Sequence, residues 1–97
     1  MVPLNAVIDR SITGLTISNR VTKIGNSAFA RTEHLYNVEL PNTITTIEDN
    51  AFYISNLTNI NFPEGLTSIG DSAFRSTKLI NVILPSTLTF IGTSAFY

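Results

Sequence analysis

With 97 residues, the chain has the length of one domain with a modest hydrophobic core. Hydrophobic residues make up 43% and charged residues 13%, which excludes an intrinsically disordered chain, because such chains are poor in apolar residues and rich in charge. Six basic and seven acidic residues leave a net charge of −1, which argues against nucleic-acid binding. Cysteine is absent and His34 is the one histidine, which argues against disulfides and against cysteine- or histidine-rich metal sites.

The N-terminal segment does not have the pattern of a signal peptide, because residues 1–10 lack both a basic start and a long apolar run. No apolar run elsewhere approaches the roughly 18 residues that a membrane span requires. We therefore expect no membrane insertion by this chain.

Beyond this N-terminal segment, a unit of 22 or 23 residues repeats along the chain. Its most recognisable part is an isoleucine, three intervening residues and then Ala-Phe, and the final residues of the four copies are Phe29, Phe52, Phe74 and Phe96. Other apolar columns keep the same spacing, and the shared pattern is LxxVxLPxxLxxIGxSAF. Apolar columns in phase across four units predict a solenoid whose stacked coils share one continuous core.

The repeat also predicts the domain organisation, a single repeat domain over residues 1–97. The predicted segments are a partial repeat at 1–7 and coils at 8–29, 30–52, 53–74 and 75–97. The chain stops directly after the fourth Ala-Phe with no polar capping segment, although solenoids need polar terminal caps for solubility. We therefore expect this domain to be a fragment of a longer array.

Within each unit, the sequence predicts one short strand and then a turn. The triplets VEL, INF and VIL, at 38–40, 60–62 and 82–84, have the period-2 pattern of a strand with one buried face, and a proline stops each of them. The later IGxSAF segment carries glycine in three of four units and a polar side chain before Ala-Phe, which favours a turn or a one-turn helix. The predicted fold is mostly β, with short parallel strands on one face and turns or one-turn helices on the other.

Two outward columns beside the predicted strand vary from unit to unit. One reads Thr16, Glu39, Asn61 and Ile83, and its neighbour reads Thr13, Tyr36, Thr58 and Ile80. Variable outward residues over a constant core are typical of a recognition surface, and exposed aromatic and apolar side chains are typical anchors. The candidate partner-binding residues are Tyr36, Glu39, Asn61, Ile80 and Ile83. Neutral variation on a solvated face is the alternative interpretation.

Three other polar columns, two of them uniform, favour a structural interpretation. Asn37, Asn59 and Asn81 share one position, which predicts a ladder of side-chain amides between coils, with a polar binding stripe as the alternative. A second uniform column consists of Thr22, Thr45, Thr67 and Thr89, β-branched residues that strand geometry favours. An ice-binding array is disfavoured, because the neighbouring column is irregular. Asp49 and Asp71 align in the turn before Ala-Phe and are interpreted as caps.

The sequence predicts no catalytic residue, no cofactor-binding residue and no metal site. His34, Glu33 and Glu39 fall on a loop and a strand without convergent partners, and no serine has the GxSxG context of a nucleophile elbow. No carboxylate pair recurs on one face, which disfavours a β-helix-type hydrolase or lyase.

The consensus resembles the BspA-like leucine-rich repeats, a class found in bacterial surface proteins and in many proteins of microbial eukaryotes. The resemblance covers residues 9–97. Members often carry a cysteine three positions after the phenylalanine, where this chain has Thr32, Ser55 and Thr77. The resemblance implies a right-handed solenoid and a non-enzymatic binding or adhesion module at the cell surface or outside the cell, with a protein or a glycan as its partner. A structural spacer that displays other domains remains the alternative.

The last predicted coil has an apolar edge without a following coil, and its residues are Leu79, Val82, Leu84, Leu88, Ile91 and Phe96. Exposed strand edges and apolar patches recruit partners. The sequence therefore predicts that the chain associates with itself, forming a homo-oligomer through this terminal coil.

Overall fold

Seven short strands and no helix lie in residues 11–97, the part of the chain that the computed structural model describes. The partial repeat predicted at residues 1–7 lies outside this part. In chain order the strands are β1 (Gly14–Thr16), β2 (Lys23–Ile24), β3 (Asn37–Glu39), β4 (Thr46–Ile47), β5 (Asn59–Ile60), β6 (Ser68–Ile69) and β7 (Phe90–Ile91). These elements confirm the mostly β solenoid.

The strands form two parallel sheets that run along the stack of coils. The first sheet has the order β1-β3-β5 and the second has the order β2-β4-β6-β7. Each pairing joins residues one repeat apart, such as Val38 with Ile60 and Ile47 with Ile69. The second sheet was not predicted, since the sequence indicated only one strand per unit, followed by a turn. Its strands are two residues long, which is too short to show an alternating pattern.

The first sheet differs from the predicted triplets in two ways. Its strands begin about one residue earlier, so that β3 starts at Asn37 rather than Val38. The predicted strand at 82–84 is wrong, since no strand forms there. Val82 is only half-buried, because the fourth coil has a neighbouring coil on one side alone. Earlier in the same coil the backbone is still bonded to the third coil, since the Lys78 N–H donates to the Leu57 carbonyl at 2.9 Å.

The core consists of the apolar columns, one layer per coil. Phe52 and Phe74 are fully buried, as the repeat predicts. Successive phenylalanine rings stack with centroids 5.5 Å apart for Phe29 and Phe52, 5.3 Å for Phe52 and Phe74, and 5.4 Å for Phe74 and Phe96. Phe62 packs edge-on against two of these rings. The stack therefore connects all four repeats.

The segment around Ala-Phe consists of two consecutive β-turns in each coil, not a one-turn helix. In residues 70–75 the Ala73 N–H donates to the Gly70 carbonyl and the Arg75 N–H donates to the Ser72 carbonyl. Ser72 has φ 56°, and the equivalent residues of the other coils also lie in the left-handed region. Together these turns form the third side of the coil, called the turn face here and comprising residues 25–31 and their equivalents.

Close packing between coils favours glycine at the start of the turn face in the third and fourth coils. Backbone conformation does not explain it, because no glycine in residues 11–97 has a positive φ. A Cβ atom on Gly70 would lie 2.6 Å from the Asp49 backbone nitrogen, well inside a normal contact. Glu48 occupies the equivalent position of the second coil. Its neighbour Asp49 makes a longer link to the first coil, 3.1 Å against 2.8 Å for the next two links.

Candidate functional site

The five predicted partner-binding residues are all exposed, and they are called the strand face here: Tyr36, Glu39, Asn61, Ile80 and Ile83. Tyr36 is 54% exposed, and Ile80 and Ile83 are each 86% exposed. Exposure of that size for isoleucine leaves apolar surface available to a partner. Recognition by these residues stays a prediction.

The strand face is held by the first sheet in its first three coils. Glu39 ends β3 and pairs with Thr16 of β1. The Tyr36 N–H donates to the Thr13 carbonyl at 3.0 Å, and the Tyr36 carbonyl accepts from Thr58, so the second variable column is also aligned between coils. Ile80 and Ile83 belong to the fourth coil, where no strand forms. The face thus has a regular part and a less constrained part.

A depression of about 190 Å³ lies where these two parts meet. Two strand-face residues, Asn61 and Ile83, line it together with Asn59, Asn81, Ile60 and Phe62. The structure therefore brings two of the five predicted binding residues together, with two asparagines of the predicted ladder. An apolar side chain beside three amides offers a mixed contact surface of the kind found in recognition sites.

The asparagine ladder is supported in position only. Asn37 and Asn59 are paired in register, and all three asparagines of the column are exposed. The side-chain hydrogen bonds between coils in residues 11–97 come from other columns, so an amide ladder stays a prediction.

Two polar columns that do link the coils are those of threonine and of Asp/Asn. The Thr67 hydroxyl donates to the Thr45 carbonyl at 3.0 Å, and Thr89 repeats this bond to Thr67. The Asp49 Oδ1 accepts the Asp71 N–H at 2.8 Å, and the Asp71 Oδ1 accepts the Thr93 N–H at 2.8 Å. Each aspartate therefore caps a backbone group of the following coil rather than one in its own turn.

In residues 11–97 no group of three histidine, cysteine, aspartate or glutamate side chains is placed so that it could hold a metal ion. Glu33 and His34 line an open depression of about 300 Å³ with Arg31 and Ser11, and Glu39 is not part of it. In the same part of the chain no helix has the length and apolarity of a membrane span.

The column that often holds cysteine in related repeats is buried here. The Thr32 hydroxyl is fully buried and donates to the Phe29 carbonyl at 2.7 Å. The Ser55 hydroxyl is buried without a hydrogen-bond partner among the described residues. An unpaired buried hydroxyl lowers the stability of the fold, and a thiol at the same place would lower it less.

The turn face carries a groove that sequence reasoning missed. It measures about 500 Å³ and is lined by Ser27, Ala30, Arg31, Asn50, Tyr53, Ser72 and Arg75. The Arg31 Cζ lies 5.7 Å from the centre of the Tyr53 ring, and the Arg75 Cζ lies 5.3 Å from that of Tyr97. Arg31 and Arg75 occupy different positions of their units, so no column in the sequence connects them.

Three solved structures are similar to the chain. The first, a leucine-rich repeat protein of T. pallidum, has 32% identity and a TM-score of 0.80 over 87% of this chain and 40% of its own. A leucine-rich repeat protein from Bacteroides ovatus has 30% identity and a TM-score of 0.64 over 90% of this chain and 29% of its own. A leucine-rich cell surface protein from Faecalibacterium prausnitzii has 31% identity and a TM-score of 0.66 over 86% of this chain and 20% of its own.

The chain spans less than half the length of each of these proteins. No protein of curated function matches it. A family model described as a BspA type leucine-rich repeat region of six copies matches residues 4–97. This match covers nearly the whole chain and agrees with the stacked 22- and 23-residue coils and with the three solved structures. The chain therefore belongs to the BspA-type leucine-rich repeat family.

Proposed function

We propose that the chain is a non-enzymatic binding module of a cell-surface or extracellular protein and that its strand face contacts a protein or glycan partner. The observation that carries the proposal is the exposure of Tyr36, Ile80 and Ile83, three large side chains on outward columns of an otherwise uniform repeat. The cell-surface placement is supported by the description of the Faecalibacterium prausnitzii relative.

The size of the strand face sets the expected affinity. Three strands about 4.8 Å apart and two or three residues long cover on the order of 100 Å², far below the roughly 800 Å² per partner of a standard interface. We therefore expect weak binding by this chain alone, strengthened when several copies are displayed together.

The test is binding of the labelled chain to an array of neutral and acidic glycans and to an array of purified extracellular proteins. In one variant Tyr36, Glu39, Asn61, Ile80 and Ile83 are all replaced by serine. The control variant carries Asn42→Ser, Asn56→Ser and Phe90→Ser, which remove exposed side chains, including an aromatic ring, from other surfaces. Circular dichroism verifies that both variants keep the fold.

We expect the five-residue variant to lose every signal that the control retains. Equal binding by the two variants would favour the spacer alternative, in which the solenoid displays other domains and its strand face contacts nothing. That result would leave the fold and the family assignment unchanged.

A further inference from the structure

We propose that the turn-face groove binds an acidic polysaccharide, a sugar chain that carries sulfate or carboxylate groups. This site uses none of the strand-face residues, so its failure and that of the proposed function are distinguishable. The charged side chains that line the groove are Arg31 and Arg75, and no carboxylate lines it. Two of the six basic residues of a chain with net charge −1 thus line the same cavity.

Each guanidinium group lies over an aromatic ring 22 residues later in the sequence. Arg31 lies over Tyr53 and Arg75 over Tyr97, each within the range of a cation–π contact. A guanidinium held over an aromatic ring by this attraction can still donate its N–H groups to another partner. Both arginines are exposed, and neither forms an ion pair with a carboxylate of residues 11–97. Their donors are therefore available to an oxyanion, which arginine can hold with two parallel hydrogen bonds.

The remaining lining groups suit a sugar rather than an isolated ion. Ser27, Asn50 and Ser72 stand at equivalent positions of three successive coils and present two hydroxyls and an amide along the groove. Tyr53 is half-buried between the two arginines and offers a ring against which a sugar ring can stack. Polar groups around an aromatic platform are the usual composition of a site that orients a polar ligand.

The spacing along the solenoid supports a repeating ligand. Arg75 lies 44 residues, or two repeats, after Arg31, so about 10 Å separates them along the stack, twice the spacing of adjacent parallel strands. This distance is comparable to the length of a disaccharide, the unit in which acidic groups recur on many polysaccharides. A ligand lying along the groove would meet one arginine per disaccharide and the Ser/Asn column between them.

The test is the dissociation constant of the chain for dextran sulfate, for hyaluronan and for neutral dextran at a fixed, physiological salt concentration. Dextran sulfate carries sulfates and hyaluronan carries carboxylates, so the comparison identifies which oxyanion the arginines hold. The double variant Arg31→Gln, Arg75→Gln removes both guanidinium groups. The control, Arg20→Gln with Lys78→Gln, makes the same change in net charge at exposed residues that do not line the groove.

We expect binding to at least one acidic polysaccharide and none to dextran. The groove variant should bind at least about tenfold more weakly, because each arginine contributes charge-assisted hydrogen bonds, and the control should stay within about threefold. Tyr53→Phe should bind like the original chain, and Tyr53→Leu should bind more weakly.

Three results would overturn the proposal. The first is no binding to either acidic polysaccharide. The second is equal weakening by the groove variant and the control, which would mean that overall charge, not the groove, attracts the polymer. The third is tighter binding to poly-glutamate than to both polysaccharides, which would indicate an acidic protein segment as the ligand.

Discussion

The third and fourth coils have nearly the same sequence pattern but differ in how many coils pack against them. Phe74, in the third coil, is fully buried between two stacked rings, whereas Phe96 in the fourth is 38% exposed. Ile69 and Ile91 show the same contrast between a buried and an exposed isoleucine. A repeat unit cannot bury its own apolar columns, so its structure depends on its neighbours.

The phenylalanine stack gives the largest expected difference between these coils. Phe74→Ala should lower the free energy of unfolding by about 3–5 kcal/mol, because the replacement removes buried surface and leaves a cavity. Phe96→Ala should cost less, about 1–2 kcal/mol, because part of its ring already contacts water. Urea unfolding followed by circular dichroism measures both. Equal losses would mean that the fourth coil is covered in solution, and an unchanged Phe74→Ala would contradict the assigned core.

Close packing at the glycine column should give an intermediate difference. Gly70→Ala places a methyl group against the Asp49 nitrogen, and Gly92→Ala places one against the Asp71 nitrogen. We expect a cost of about 1–3 kcal/mol for Gly70→Ala, since the third coil is confined on both sides. Gly92→Ala should cost less, because the fourth coil can move outward. The same unfolding measurement applies, and a larger loss for Gly92→Ala would show that the fourth coil is not free to shift.

The aspartate column offers a smaller effect with a conservative control. Asp71→Ala removes the acceptor of the Thr93 N–H and should cost about 0.5–1.5 kcal/mol, since the site is exposed and water replaces part of the bond. Asp71→Asn retains the accepting oxygen and should be nearly neutral, because Asn26 has that role in the first coil. A loss as large for Asp71→Asn would show that the negative charge, not the hydrogen bond, is what stabilises the link.

Sequence reasoning predicted the features that recur in every unit and missed those that depend on contact between coils. Regular spacing was enough to predict the buried positions of Phe52 and Phe74 and the exposure of Ile83. The second sheet was missed, because two-residue strands are formed by pairing between coils and leave no alternation in the sequence. The strand predicted at 82–84 does not form although β7 forms in the same coil, so the triplet pattern alone was not enough to specify a strand.

The turn-face groove was missed for a related reason. Arg31 is the second residue after Phe29, whereas Arg75 directly follows Phe74, so the two arginines share no column. Only the stacking of coils, with each arginine over the tyrosine 22 residues later, brings them to one cavity. Sites of this kind, assembled from positions that differ between units, cannot be read from the repeat itself.

Association through the fourth coil is the weakest effect that we expect. Leu84, Phe90 and Ile91 are exposed there beside a shallow depression of about 440 Å³, although Leu79, Val82 and Leu88 of the predicted edge are half-buried. Covering such side chains is favourable by about 1.5–3 kcal/mol for each one fully buried, but ordering two chains opposes it, so we expect dimers only at micromolar concentrations or above.

Sedimentation velocity across a concentration series measures this equilibrium, and pairing of two fourth coils about a two-fold axis predicts a closed dimer rather than fibres. Phe90→Lys with Ile91→Lys should abolish the dimer, because it places four positive charges at the symmetric contact. A matched change on another surface, Thr16→Lys with Thr58→Lys, should leave it intact, since both residues are exposed on the first sheet and its flank. A chain that stays monomeric at about 100 μM, a concentration at which micromolar pairing is populated, would show that the half-buried residues already protect enough of this edge.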